Sequence, residues 1–272
     1  MTTHPLDIAT RLDRVSDSVL AGTTNDDYWN FAGPFGGYIA ALFMKAVMID
    51  PRRLGPPVAQ TVNFCAALPK GDFEIAIKLA RGGKATQHWS LELMHAGEIA
   101  ATCSIVCANR RETFSHSVLT RPDLVGPESV PSAPPDVRLP WLKNYEFKFV
   151  EGGRAEVKRT RDEQRLGTSR TALWLKDVPD RPLDYVALAA LCDCFILRLV
   201  QMRGTLVPMG TVSLTSYFHA LPEELEAQGT RHLLGIADAK RFEANFHDQW
   251  IELWGADGRL IANGVQVAWY KE

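Results

Sequence analysis

The chain has 272 residues, enough for one large domain or two of roughly 100–150 residues each. Its net charge of −2 leaves no basic excess for nucleic acid or an anionic membrane surface, while 46% hydrophobic residues permit a sizeable core. No apolar stretch approaches the roughly 18–20 residues that span a bilayer, and residues 1–7 lack a basic-then-apolar leader pattern, so a cytoplasmic protein is expected.

A strand-like start leads to a glycine-rich turn, Gly33-Pro34-Phe35-Gly36-Gly37. Residues 38–47 are apolar on nearly all faces, the pattern of a buried helix. Strands are expected at 60–64, 73–79, 87–93 and 99–106, where β-branched and aromatic residues recur, with a turn at 95–98 between the last two. Six prolines between Arg121 and Pro140 then mark an extended linker. It divides the chain into residues 1–120 and 141–272.

The second half repeats the first. Strands at 145–150 and 169–175 precede a long apolar helix, from about 184 to 201. A strand at 210–218 follows, then a hairpin over 250–262 that turns at Asp257-Gly258. The implied fold class is α+β: two units, each a buried helix wrapped by a curved antiparallel sheet.

The five cysteines lie in apolar segments without zinc-site spacing and read as reduced thiols; no metal site is expected. The residue that does not fit its surroundings is Asp193, inside the apolar run of residues 188–197. A carboxylate there is costly to bury unless something pairs with it or uses it. The matching place in the first half holds no acid, so the duplicated fold points to one functional site.

Gly33-Pro34-Phe35-Gly36-Gly37-Tyr38, entering an apolar helix, resembles the opening motif of TesB-type acyl-CoA thioesterases. The strand from Thr211 to His219, with Pro222 close behind, and Gly264-Val265-Gln266 near the end resemble the family's later motifs. The resemblance covers nearly the whole chain and implies a double hotdog fold. It also implies hydrolysis of a fatty acyl-CoA to free acid and coenzyme A, in lipid metabolism, with no cofactor, and a homodimer. The family's catalytic trio of Asp, Ser or Thr, and Gln matches Asp193, Thr211 and Gln266. Aligning the two halves gives Ala46, Thr61 and Ile105 as their first-half counterparts, with only the Thr retained.

Thioester hydrolysis needs a positioned water, a group that orients or deprotonates it, and donors for the developing oxyanion. Asp193 suits either the base or a carboxylate that only orients the water, and Thr211 and Gln266 each supply donor and acceptor capacity for the water. Backbone N–H groups of Gly36 and Gly37, at a helix start, are candidate oxyanion donors. Arg81 and Lys84 are candidates for coenzyme A phosphates. Two other readings fit the fold: an enoyl-CoA hydratase, for which an Asp–His pair near a helix start is missing, and a non-catalytic acyl-CoA or acyl-carrier binding protein.

Overall fold

The computed structural model describes residues 3–271. The first half runs α1 (Pro5–Ala9), β1 (Asp13–Ser16), β2 (Val19–Thr23), α2 (Gly36–Met48), β3 (Pro57–Phe64), β4 (Asp72–Gly82), β5 (Thr86–His95) and β6 (Glu98–Ala108). The second runs β7 (Tyr145–Glu151), α3 (Arg154–Asp162), β8 (Thr171–Asp177), α4 (Tyr185–Leu191), α5 (Arg198–Arg203), β9 (Met209–Phe218), α6 (Pro222–Gln228), β10 (Leu233–Asp238), β11 (Phe242–Glu243), β12 (Phe246–Trp254) and β13 (Leu260–Tyr270). All strands join one antiparallel sheet in the order β1-β2-β4-β5-β6-β3-β9-β13-β12-β10-β8-β7, with β11 beside β12. This is a double hotdog of class α+β.

Strand alternation decides what faces inward. β5 buries Gln87, Trp89, Leu91 and Leu93 and exposes the residues between them, so one face meets the core and the other meets solvent. The curved sheet covers α2 on one side and α4 covers it on another, which is why α2 is apolar all round. The two helices come very close: a Cβ on Gly37 would lie 2.5 Å from the Ala190 carbonyl oxygen. The larger apolar core runs through both halves.

The halves meet along β3 and β9, which pair antiparallel with Thr61 opposite Thr215. The two hydroxyls are 3.0 Å apart. Each half carries a bulge at the same place. The β3–β6 ladder skips Val58, between Pro57↔Cys107 and Ala59↔Val106. The β9–β13 ladder skips Val212, between Thr211↔Ala268 and Ser213↔Val267. Superposing the bulges makes Thr215 the counterpart of Thr61 and Pro57 that of Thr211, which corrects the sequence alignment of Thr61 with Thr211. Ile105 remains the counterpart of Gln266, because Gln60↔Ile105 and Leu214↔Gln266 occupy matching rungs. The Thr of the trio is therefore not retained in the first half either.

A second correction concerns the long helix expected over residues 184–201. The chain leaves the helix after Leu191 and re-enters at Arg198. Asp193 N–H donates to Ala190 O (3.0 Å) and Cys194 N–H to Leu191 O (3.2 Å), tighter three-residue bonds that end the helix. Leu197 is extended, with φ −60° and ψ 136°. The Arg198 guanidinium, wholly buried, holds the break in place by donating to Ile196 O, Ser169 O and Thr171 Oγ1.

The proline-rich segment packs against the second half. Val130 is buried with Trp174, Leu234, Ile236 and Trp254. The Trp174 indole N–H donates to Val125 O at 2.8 Å, and the Arg121 guanidinium lies over the Trp174 ring. Of the cysteines, Cys65 is exposed and the other four are buried and unpaired. No helix among the described residues is long and apolar enough to cross a membrane.

Candidate active site

Asp193 sits in the helix break, two residues beyond the end of α4. Its side chain faces the start of α2 in the other half. Phe35, the residue before α2, provides no side-chain cap, so the first N–H groups of the helix need another acceptor. The Asp193 carboxylate faces this helix start, and the Gly37 N–H favours its ionised form. A Cβ on Gly36 would stand 2.6 Å from Asp193 Oδ2, so only glycine allows this approach. Burial pushes the Asp193 carboxyl up to about 7, partly offset by the Gly37 hydrogen bond. A carboxyl poised there can take a proton from water near neutral pH.

Thr211 and Gln266 are brought together on the inner face of β9 and β13. Thr211 Oγ1 donates to Gln266 Oε1 at 3.0 Å. Gln266 is buried, and its Nε2 has no partner. The β3–β9 register ties this pair to the Asp193 side. Asn63 opposes Ser213, so the Phe64 end of β3 lies beside the Thr211 end of β9. The Phe64 ring is 3.2 Å from the same Gly36 Cβ point that Asp193 Oδ2 approaches. The Phe64 end of β3, beside Asp193 and the α2 start, thus lies next to the end of β9 that carries Thr211.

Arg81 and Lys84 are not brought to this region. They stand exposed at the β4–β5 hairpin. That hairpin borders the opposite end of β3, since Thr86 pairs with Ala108 and Pro57 with Cys107. The length of β3 separates them from Phe64, on the order of 20 Å.

Two polar residues beside the pair escaped the sequence reading. Gln249 lies directly opposite Gln266 across β12 and β13, fully buried. Arg198 Nε donates to Gln249 Oε1 at 3.0 Å. The signal was available: Gln249 interrupts an alternating strand on its inward face. Among the described residues, no group of three or more His, Cys, Asp or Glu could hold a metal ion.

Residues 25–108 match the family model of the acyl-CoA thioesterase N-terminal domain, and residues 124–270 that of the C-terminal domain. A hotdog-fold protein of unknown function from Alicyclobacillus acidocaldarius is 39% identical, with a TM-score of 0.93 over 100% of this chain and 99% of its own. The acyl-CoA thioesterase II TesB2 of Mycobacterium marinum shares 15% identity and a TM-score of 0.74, over 98% of each chain. A tesB protein of Mycobacterium avium subsp. paratuberculosis shares 13% identity and a TM-score of 0.76, again over 98% of each. No functionally curated protein matches the chain.

Proposed function

The chain belongs to the TesB-like acyl-CoA thioesterase family, and from that premise we propose that it hydrolyses a fatty acyl-CoA to free acid and coenzyme A by direct attack of water. The observation that carries this reading is the carboxyl of Asp193, buried at the start of α2 with its ionisation poised near neutrality.

In this reading a water lies between Asp193, Thr211 and Gln266. Asp193 takes its proton as the oxygen attacks the thioester carbon. Thr211 and Gln266, linked by their own hydrogen bond, orient it. Gly36 and Gly37 let the carboxylate and the substrate approach the helix start closely. The division of labour between residues 1–120 and 141–272 follows: the first unit offers the helix start, the second the reacting side chains.

Thiol release across acyl-CoAs from short to long chains tests the activity. Turnover that peaks over one range of chain length supports it. A folded protein that releases no thiol from any of them sinks it. We further propose a homodimer. The outer face of β12–β13 exposes Phe246, Trp250, Val267 and Trp269, an apolar patch of the kind that association covers. Light scattering that returns twice 30.2 kDa supports the dimer, and a monomer mass at working concentration rules it out.

A further inference from the structure

Gln249 and Gln266 face each other on the inner side of β12 and β13, at 0% and 1% exposure. Each has its amide oxygen engaged, Gln249 by Arg198 and Gln266 by Thr211. A guanidinium only donates, so the end of Gln249 facing Arg198 must be oxygen and its free end nitrogen. Neither Nε2 has a partner. Burying an amide N–H without a partner is destabilising, so the fold alone gives no reason to keep the two. The matching rung of the first half shows what the fold does accept. There Trp89 faces Ile105, both buried and apolar. Behind Gln249, Arg198 is fully buried, and its hydrogen-bond partners are all neutral.

Resting on the thioesterase reading of Gln266, we propose that Gln249 and Gln266 together form the oxyanion hole, with their free amide N–H groups receiving the thioester oxygen as it becomes negative. Directly opposed side chains on adjacent strands have Cβ atoms about 5 Å apart, within reach of one shared acceptor. The positive charge of Arg198, donating to Gln249 Oε1, polarises the Gln249 amide and strengthens its N–H as a donor. The Gly37 N–H, by contrast, is directed at Asp193.

The chemistry balances without a further reactant. The water oxygen bonds to the thioester carbon, its proton passes to Asp193, and the carbonyl π pair moves onto the oxygen held by the two amides. Collapse restores the carbonyl and breaks the carbon–sulfur bond. The sulfur leaves with that electron pair and takes the proton from Asp193, giving acid and coenzyme A thiol.

The decisive variant is Gln249→Glu, assayed beside Asp193→Asn on the acyl-CoA that wild type turns over best. Glutamate keeps an oxygen for Arg198 and offers it a carboxylate, so the melting temperature holds or rises. It removes the donor. The expected result is a kcat about 10²–10³-fold lower with KM within a few-fold, the usual effect of losing one oxyanion donor. The loss persists at pH 9. Recovery by pH 9 would mean that the new charge merely shifted Asp193, and overturns the proposal. So does near wild-type turnover by Gln249→Glu when Asp193→Asn is inactive, which leaves the thioesterase site standing. If both variants turn over normally, the reading of the site itself fails. Should Gln249→Glu not fold, Gln249→Met, close in size and without a donor, carries the same kcat test.

Discussion

The Asp193 carboxylate, in the helix break of one half, faces the backbone N–H of Gly37, at the helix start of the other. One contact therefore joins the α2 start to the candidate base. The same contact links folding to catalysis, because moving the helix start moves the carboxylate.

Replacing that carboxylate by its amide keeps the shape and removes the base. Asp193→Asn is expected to lower kcat by about 10²-fold or more while the protein remains folded. Steady-state kinetics on protein whose circular dichroism matches wild type checks this. Turnover within a few-fold of wild type removes Asp193 from the mechanism.

The pH profile should carry the same signature. Asp193 must be ionised to accept a proton, and its carboxyl lies at about 7. The kcat/KM value is expected to fall roughly tenfold per unit below that point and to level off above it. A flat profile between pH 5 and 8 contradicts a single base of this kind.

Gly36 has no room for a methyl group, since its Cβ would sit 2.6 Å from Asp193 Oδ2. Gly36→Ala must displace the carboxylate or the helix start. An overpacking cost of about 1–3 kcal/mol is expected, together with a loss of turnover of tenfold or more. Thermal melts and kinetics on the same preparation separate the two effects. An active Gly36→Ala protein would mean that the carboxylate need not touch the helix start.

Stability should fall as pH rises, for a reason that lies away from the site. Asp177 is buried, its Oδ1 has no partner, and burial pushes its carboxyl from 3.8 up to about 7. Between those values the unfolded chain is ionised while the folded one holds its proton. The folded state therefore loses its advantage as pH climbs from about 4 to about 7, and the loss is complete above that. At about 1.4 kcal/mol per pH unit the full effect is up to about 4 kcal/mol. Asp177→Asn should be more stable than wild type at pH 8 and close to it at pH 4, as denaturant melts at the two pH values will show. Asp193 adds a slope of the same sign, so the Asn variant keeps part of the trend.

The buried helix, the one-faced strands and the repeat were legible because each rests on a local pattern: all-round apolarity in α2, alternation in β5, Asp-Gly in the second hairpin. The helix break was not. Residues 184–201 are apolar enough to be buried as one helix or as two, and hydrogen bonds from Arg198 to residues distant in sequence decide the matter. Thr61 was aligned with Thr211 because bulges are invisible in a string of β-formers; only the paired strands reveal the extra residues Val58 and Val212. Gln249 was missed by one position. The strand was expected to begin at Trp250, whereas β12 begins at Phe246. Asp193 stood out because a charge within an apolar run is a physical anomaly that needs no three-dimensional information.

The β3–β9 pairing has a consequence for any attempt to separate the halves. Each strand would otherwise end its sheet as a bare edge, with a row of backbone N–H and C=O groups unpaired. Thr61 and Thr215 mark the centre of a seam in which each unit acts as the other's edge guard. A half expressed alone would carry an adhesive margin, and its easiest remedy would be to pair with another copy of itself.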